Sequence, residues 1–227
     1  MSLLLLSAGC SFTYGNELSD DTPDSHSQKS WSALLANKLG YDYATVAKPG
    51  ASNQTIARSL IDHITHSTSL PQAVAVMWTF TSRFEYNDRI KGDFIQVSRE
   101  SAKTNDSIRS YYEVFGDDEI NELYVSLSSF FYLQMALTAK DIPFIFTTAD
   151  SSPLKRHFAV NPNTSISALI KNIDWSKWYW VDHMNDEDGF YAWGKRNYPV
   201  GPRGHPLDQA HQQLAADMLP LALTSLR

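Results

Sequence analysis

The chain has 227 residues, of which 43% are hydrophobic and 12% aromatic. It can therefore bury a core of ordinary size as one domain over residues 1–227, and disorder of the whole chain is excluded. The formal net charge is −6 at pH 7. Because duplex-binding proteins usually present a clustered basic face, and no such cluster occurs here, we exclude nucleic acid as the main partner.

The only cysteine is Cys10, so no intrachain disulfide can form, which fits a reducing compartment. The apolar residues 1–8 have no preceding Lys or Arg, so they fit a buried strand better than a signal peptide. No stretch of the sequence approaches the roughly 20 apolar residues of a membrane span. We therefore expect a cytoplasmic protein with no membrane partner.

Strand and helix signals alternate along the chain. Short apolar runs predict four strands, at residues 3–6, 42–47, 73–78 and 143–148. Apolar residues at helical spacing predict four helices, at residues 31–39, 56–64, 123–139 and 207–223. This order predicts an α/β fold whose parallel sheet is covered by helices on both faces.

Two stretches give no clear strand or helix signal. Residues 82–120 are mostly polar and are predicted to form an insertion or a mobile lid. Residues 150–200 are rich in aromatic side chains and are predicted to be irregular. Clustered aromatic rings of this kind can stack on sugars or simply belong to the core.

A serine follows the first predicted strand in the segment GCSFTYG at residues 9–15. Open α/β sheets bind ligands at the carboxyl ends of their strands. Ser11 would therefore lie on a rigid element with its backbone N–H facing a developing oxyanion. A serine at such a turn can also serve only as a helix cap, and this segment alone leaves both interpretations open.

A histidine precedes the last predicted helix in the segment Gly204-His205-Pro206. Neutral imidazole is the usual base for a serine hydroxyl, which is a weak nucleophile at its own pKa. His205 is therefore a candidate base, although a loop histidine without any role is the ordinary alternative. His211 lies within the helix and is expected to be structural.

Taken together, these segments resemble the SGNH hydrolases, also called GDSL-like esterases. Residues 9–15 look like the first block of that family, with Ser11 as nucleophile, and His205 looks like the base of its last block. Gly50 stands where the second block has its oxyanion glycine. The Gly-Cys-Ser-Phe-Thr variant also resembles uncharacterised bacterial and tailed-phage members, which leaves a virus-encoded origin open.

The resemblance implies a three-layer α/β/α fold similar to flavodoxin, with a parallel sheet of about five strands. It implies hydrolysis of an acetyl or acyl ester of a carbohydrate or small molecule. Neither a metal nor an organic cofactor is implied. The oligomeric state is left open.

The sequence departs from the family pattern in the third block, which normally supplies an Asn side chain to the oxyanion hole. Here the third strand is followed by Thr79 and Thr81. Asn53, Thr79 or Thr81 can take over this role, or the hole has only backbone donors. Arg83 can frame the substrate site or pair with Glu85 at the surface.

A second departure concerns the carboxylate that orients the histidine. The family places an Asp two or three residues before it, where this chain has Pro202 and Arg203. Asp208 is our candidate replacement, with Asp182 or a backbone carbonyl as alternatives. Because two expected groups are missing, a catalytically impaired module that binds carbohydrate or serves a structural role is the second hypothesis.

Two further groups of residues are assigned to structure rather than chemistry. His63 and His66 are three residues apart on a predicted helix, but a structural zinc site needs four ligands, so we expect no metal. Cys10 is expected to act as a small buried hydrophobe beside the better nucleophile Ser11.

Overall fold

The structure is a computed structural model, and it describes residues 3–90, 92–114, 118–158, 164–182 and 189–226. Within these ranges the strands are β1 (Leu4–Ala8), β2 (Asp42–Thr45), β3 (Ala73–Trp78), β4 (Phe84–Asp88), β5 (Asp93–Val97) and β6 (Phe144–Thr148). One parallel sheet has the order β2-β1-β3-β6, and β4 and β5 form an antiparallel hairpin.

Nine α-helices occur in the same ranges. They are α1 (Ser11–Tyr14), α2 (Trp31–Leu39), α3 (Asn53–His66), α4 (Asp106–Val114), α5 (Glu119–Thr138), α6 (Ser152–Phe158), α7 (Thr164–Asn172), α8 (Phe190–Asn197) and α9 (Asp208–Ser225). Short 3-10 turns lie at Ser101–Lys103 and Trp175–Lys177. Helix α2 packs against α9 and α3 packs against α5, so two helix pairs flank the sheet.

The centre of the sheet is buried, because β3 is apolar along its whole length and β6 over its first three residues. All six residues of β3 and all five of β6 are buried, which is the pattern expected of parallel strands covered on both faces. The predicted α/β fold with a helix-covered parallel sheet is therefore confirmed. No helix in the described part of the chain combines the length and apolar character needed to cross a membrane.

The sheet has four regular strands among the described residues where about five were expected. A single parallel bridge between Phe146 and Trp178, with Tyr179 N–H donating to Phe146 O at 2.8 Å, occupies the fifth position next to β6. The short turn Trp175–Lys177 immediately precedes this bridge. The chain thus touches the sheet edge at one residue without extending into a strand.

Both stretches without a predicted element contain regular structure. The segment 82–120 holds the β4–β5 hairpin and α4, and its residues 91 and 115–117 lie outside the described ranges. The expectation that 150–200 is irregular is wrong for α6, α7 and α8; residues 159–163 and 183–188 lie outside the described ranges. Tertiary contacts rather than local pattern stabilise these helices, since Phe190 of α8 is fully buried.

Candidate active site

Ser11 lies at the start of α1, directly after the carboxyl end of β1. The turn into this helix requires a glycine, because a Cβ at Gly9 would lie 2.1 Å from Thr13 Oγ1 and 3.1 Å from Met77 O. Cys10 occupies the N-cap position in an extended conformation. Ser11 is 7% exposed, so the serine is held at the sheet edge with limited access to water.

His205 lies against this serine, with its Nε2 2.9 Å from Ser11 Oγ. A tight loop before α9 holds the histidine in place. Gly201 N–H donates to His205 O at 2.9 Å, and Gly204, with φ of +85°, closes the turn by donating to Gly201 O at 2.9 Å. The edge of the Phe12 ring packs on the imidazole at a centroid distance of 5.3 Å. Residues almost two hundred positions apart therefore meet at one point.

Glu17 supports the other side of the imidazole. Its Oε2 lies 2.5 Å from His205 Nδ1, and its carboxylate also accepts the backbone N–H groups of Arg203, at 2.9 Å, and His205, at 3.3 Å. An ionised carboxylate only accepts hydrogen bonds, so Nδ1 carries the proton and Nε2 is left to accept from Ser11 Oγ–H. Ser11, His205 and Glu17 thus form a continuous hydrogen-bonded line.

The environment of Glu17 keeps its carboxylate ionised. Burial raises the pKa of Glu17, but hydrogen bonds from the Arg203 backbone, the His205 side chain and the His205 backbone lower it by more, so the net pKa lies below its usual value. An ionised carboxylate at this position stabilises the imidazolium that forms when His205 takes a proton. The Glu17 side chain is 12% exposed.

The backbone around Glu17 is adapted to this contact. Glu17 itself has φ of +67°, a conformation that costs free energy for a residue with a side chain. Its N–H is held by Asp21 Oδ2 at 2.7 Å. Gly201 provides the space, because a Cβ there would lie 2.7 Å from the Glu17 carboxylate.

Asp208, which the sequence suggested as the orienting carboxylate, points elsewhere. Its oxygens accept Ser19 N–H at 2.9 Å and Ser19 Oγ–H at 2.5 Å, and Lys29 Nζ lies 3.3 Å away. No hydrogen bond joins Asp208 to His205 within the ranges the structure describes. The expectation is corrected because the first turn of α9 directs this side chain at the loop that follows α1. The alternative Asp182 pairs with Arg196 at 2.9 Å.

The sequence does not predict Glu17 as the partner of His205, because the family pattern places the orienting carboxylate next to the histidine. The polar loop after α1 starts immediately beyond the nucleophile and carries four acidic residues, Glu17, Asp20, Asp21 and Asp24. A loop that starts beside Ser11 must pass close to it. That position, together with the richness in carboxylates, was the available signal.

Gly50 lies in a turn beside the nucleophile segment. Lys48 N–H donates to Gly9 O at 3.1 Å, and Ala51 N–H donates to Lys48 O at 3.1 Å. Gly50 has φ of +77° and open space around the position of a Cβ, so glycine is the residue that adopts this turn without strain. The turn is therefore bonded to Gly9, two residues before Ser11. The N–H of Ser11 belongs to the first turn of α1 and has no intrahelical acceptor.

The amide of Asn53 is used in hydrogen bonds with the Thr79 backbone and with Ser126 rather than as an oxyanion donor. Asn53 Nδ2 donates to Thr79 O at 3.3 Å and to Ser126 Oγ at 3.0 Å, and its Oδ1 accepts Thr79 N–H at 2.8 Å. Both residues are 1% exposed. The expected donor role is corrected because these contacts use both amide hydrogens of Asn53 to tie the end of β3 to α3 and α5.

Arg83 contacts the residue after Gly50, and Thr81 lines the same cavity as Arg83. Arg83 Nη1 is 3.0 Å from Thr79 Oγ1 and 3.5 Å from Ala51 O. Both residues line a cavity of about 200 Å³ beneath the hairpin, together with Tyr111 and Tyr112. Arg83 does not form the surface ion pair with Glu85, since Glu85 pairs with Arg58 at 2.8 Å.

A larger cavity, of about 650 Å³, is linked to His205 through the ring of Phe12. It is lined by Phe80, Ala149, Asp150, Ser152, Lys155, Arg156, Tyr191 and Ala192. The centroid of the Phe12 ring lies 5.3 Å from that of His205, 6.4 Å from that of Phe80 and 5.8 Å from that of Tyr191. The cavity lies at the carboxyl ends of β3 and β6, where parallel sheets bind ligands.

The part of the chain that the structure describes contains no group of three or more His, Cys, Asp or Glu side chains placed to hold a metal ion. The exposed His66 directs its Nδ1 at the carbonyl of Asp62, at 2.9 Å, within α3. Together with His63 it therefore belongs to a solvent-facing surface of that helix.

His211 supports the base from within α9. It is fully buried, accepts Trp31 N–H on Nδ1 at 3.0 Å and bonds the carbonyl of Pro206. Burial lowers the pKa of His211 to about 3, so this imidazole is neutral at pH 7. It connects α2 to the residue next to His205, which agrees with its expected structural role.

Comparison with known proteins identifies the fold. No family model matches the sequence, and no curated protein sequence matches it. Among solved structures, TesA is similar at a TM-score of 0.55 and 15% identity, with 99% of each chain covered. The chain has the SGNH hydrolase fold.

Two structurally similar proteins are carbohydrate esterases. The acetyl xylan esterase Est2A from Butyrivibrio proteoclasticus matches at a TM-score of 0.54 and 14% identity. A carbohydrate esterase family 2 enzyme with a carbohydrate-binding domain, from Corynascus thermopiles, matches at 0.52 and 15%. The two matches cover 98% and 97% of this chain, but the chain spans only 64% and 66% of the length of these two proteins.

Proposed function

We propose that this protein is a serine esterase of the SGNH hydrolase family that hydrolyses an acetyl or acyl ester of a carbohydrate or small molecule. The observation that carries the proposal is the hydrogen-bonded line from Ser11 through His205 to Glu17, with distances of 2.9 Å and 2.5 Å. A nucleophile, a base and an orienting carboxylate in this order form the arrangement that activates a serine hydroxyl.

The reaction follows from the hydrogen-bond directions. Ser11 Oγ attacks the ester carbonyl carbon while its proton passes to His205 Nε2, and Glu17 stabilises the resulting imidazolium through Nδ1–H. The tetrahedral intermediate collapses, the imidazolium gives its proton to the departing alcohol, and an acyl-serine remains. Water activated by His205 then releases the carboxylic acid and restores the serine.

The backbone N–H groups of Ser11 and Gly50 receive the oxyanion in this proposal. Ser11 N–H belongs to the first turn of α1, and the Gly50 turn is anchored to Gly9 through Lys48 at 3.1 Å. Backbone donors on rigid elements stabilise the developing charge without having to reorganise during the reaction.

The cavity of about 650 Å³ supports an ester with a ring-shaped polar alcohol. Phe80 and Tyr191 give it an apolar aromatic wall, while Asp150, Ser152 and Lys155 bring polar groups to the same space. Carbohydrates present apolar ring faces and hydroxyl edges. The ring faces can pack on the aromatic side chains, and the hydroxyl groups can bond to the polar ones. The similarity to carbohydrate esterases agrees with this choice.

The test is turnover of p-nitrophenyl acetate together with labelling by a fluorophosphonate. We expect wild-type protein to hydrolyse the ester and to be labelled on Ser11, and Ser11→Ala to lose both. Cys10→Ala is the matched control, because Cys10 is the neighbouring nucleophile and is fully buried. It should retain activity. Activity that survives Ser11→Ala would refute the proposal.

One observation favours a second candidate, a catalytically impaired SGNH-fold protein that binds carbohydrate. Asn53 is occupied by Thr79 and Ser126, so the proposed oxyanion site relies on two backbone donors. Loss of one oxyanion donor costs about 10²- to 10³-fold in rate in a serine protease. A wild-type protein that binds oligosaccharide but neither turns over esters nor reacts with the fluorophosphonate would support this alternative.

A further inference from the structure

The Gly50 turn is held at its two ends by backbone hydrogen bonds, from Lys48 N–H to Gly9 O and from Ala51 N–H to Lys48 O, each at 3.1 Å. Gly50 is exposed, and there is open space around the position of a Cβ. Glycine also has the widest backbone freedom of any residue. An N–H group that receives an oxyanion must nevertheless be fixed before the reaction, because preorganisation is what makes it effective. The fixation of this turn therefore has to come from its neighbours in the chain.

The peptide group between Ala51 and Ser52 lies directly after Gly50 in the chain. Both its N–H and its carbonyl are bound by side chains. Ser52 N–H donates to Gln96 Oε1 at 3.1 Å, and the carbonyl of Ala51 faces Arg83 Nη1 at 3.5 Å. Gln96 lies on β5 and Arg83 directly precedes β4. Two side chains of the hairpin segment thus contact the N–H and the carbonyl of a single peptide plane.

The hairpin is itself anchored to the first turns of α3. Glu85 on β4 accepts Arg58 Nε at 2.9 Å and Arg58 Nη2 at 2.8 Å, and its side chain is only 5% exposed. Gln96 Nε2 donates to the same carboxylate at 3.3 Å. The guanidinium of Arg58 also lies 4.0 Å from the centre of the Phe94 ring. Gln96 is therefore held at its amide nitrogen as well as at its oxygen.

We propose that the β4–β5 hairpin is a positioning element for the reaction, in which Gln96 and Arg83 hold the Ala51–Ser52 peptide and thereby aim the Gly50 N–H at the oxyanion. The proposal rests on the proposed function. Neither side chain touches the reacting atoms. Arg83 and Gln96 thus act on the active site only through the Ala51–Ser52 peptide.

The experiment measures kcat, KM and thermal stability of Gln96→Leu with p-nitrophenyl acetate. Leucine has a similar size but accepts no hydrogen bond from Ser52. We expect kcat to fall by about 10- to 10²-fold, which is less than the about 10²- to 10³-fold cost of removing an oxyanion donor outright. KM should stay within about two-fold, because an interaction made only in the transition state affects kcat and kcat/KM equally.

Two further variants separate positioning from general stabilisation of the fold. Asn87→Ala changes an exposed residue of the same hairpin and should leave kcat at the wild-type value. Gln96→Asn retains an amide, which can accept from Ser52 without placing a second carboxylate beside Glu85, and should recover part of the kcat lost in Gln96→Leu. A fall in kcat that follows the loss of thermal stability across all three variants would overturn the proposal.

The remaining outcomes distinguish this proposal from the proposed function. If the wild-type protein shows no Ser11-dependent hydrolysis, the esterase function fails. If it is active and a folded Gln96→Leu retains wild-type kcat, only the positioning role fails. Should Gln96→Leu not fold, Arg83→Met decides, because it releases the carbonyl end of the peptide; a folded variant with unchanged kcat overturns the proposal.

Discussion

The two sides of Ser11 are built in different ways. On one side, His205 contacts Ser11 Oγ and Glu17 directly, and the Glu17 carboxylate also binds two backbone N–H groups of the histidine loop. On the other side, Gly50 has no side chain, and its neighbours Ala51 and Ser52 carry the contacts that hold the turn. A side-chain base can be fixed by a single partner, whereas a backbone donor in a glycine turn depends on its neighbouring peptides.

This difference has a consequence for how mutations act. On the histidine side, removal of a catalytic group or of the Glu17 carboxylate should have a large effect, and changes further from these groups should have smaller ones. Changes on the glycine side should misplace a donor that is still present, and should have intermediate effects. The predictions below test this contrast from the largest expected effect to the smallest.

Glu17→Gln should lower kcat by about 10²- to 10⁴-fold. A neutral amide does not stabilise the imidazolium and can favour the wrong tautomer, and the corresponding change in a serine protease costs about 10⁴-fold. The measurement is kcat for p-nitrophenyl acetate at pH 7 to 9. A fall of less than about five-fold would show that His205 does not depend on this carboxylate.

The acid side of the pH profile provides a control for Glu17. Because the pKa of Glu17 in the folded protein lies below its usual value of 4.5, its support of the histidine is complete above that usual value. The support is lost as the pH falls through the lower folded value. Asp at position 17 keeps the charge but is shorter, so Glu17→Asp should lose less activity than Glu17→Gln at neutral pH, and this advantage should disappear once the carboxylate is protonated.

Gly201→Ala should lower kcat by about ten-fold, which corresponds to a rise of roughly 1.4 kcal/mol in the activation free energy. The added Cβ would lie 2.7 Å from the Glu17 carboxylate, so the carboxylate has to move. A double-mutant cycle checks the cause: in a Glu17→Ala background, Gly201→Ala should have almost no further effect. Additive losses would show that Gly201 acts through the loop backbone instead.

The main sheet could be predicted from the sequence because its signals are local. The apolar run Ala73–Trp78 marks a buried strand whatever its neighbours are. Ser11 and His205 could be singled out for a related reason, since each lies in a short segment at the end of a regular element. The helices α6, α7 and α8 are short and lacked such a signal, because each depends on contacts with the core, through Leu154, Ile166 and Phe190 respectively.

The partners of the site residues could not be predicted, because they depend on the path of loops. Glu17 reaches His205 only because the chain adopts a positive φ at that residue and Gly201 leaves space. Asn53 has the right amide for an oxyanion donor, but Ser126, on a helix far away in sequence, occupies it. Residue type thus indicated the available chemistry, whereas the tertiary fold decided which group uses it.

Asp208→Asn should reduce kcat by only a few-fold. Asp208 does not contact the histidine; it holds the loop that carries Glu17, through Ser19 at 2.9 Å and Lys29 at 3.3 Å. Burial raises the pKa of Asp208, but its hydrogen bonds with Ser19 and Lys29 lower it by more. The measurement is kcat of Asp208→Asn beside that of Glu17→Gln. If Asp208→Asn lowered kcat more than Glu17→Gln did, Asp208 would be the group that orients His205.

His211→Gln should alter the pH dependence of stability and have the smallest effect on kcat. The pKa of His211 in the folded protein is lowered to about 3 from 6.5, so between these values the unfolded chain binds a proton that the folded chain does not. The free energy of unfolding therefore falls as the pH drops through this window, by up to about 1.4 kcal/mol per pH unit.

Glutamine does not titrate in this window, so His211→Gln should show a shallower decline of stability in urea unfolding between pH 7 and pH 4. The exposed His63 provides the control, since His63→Gln should leave the wild-type slope. If His211→Gln retained that slope as well, the acid sensitivity would have to come from carboxylates such as Glu17. In that case, protonation of a carboxylate such as Glu17 would destabilise the loop that carries His205, and protonation of His211 in α9 would not be the cause.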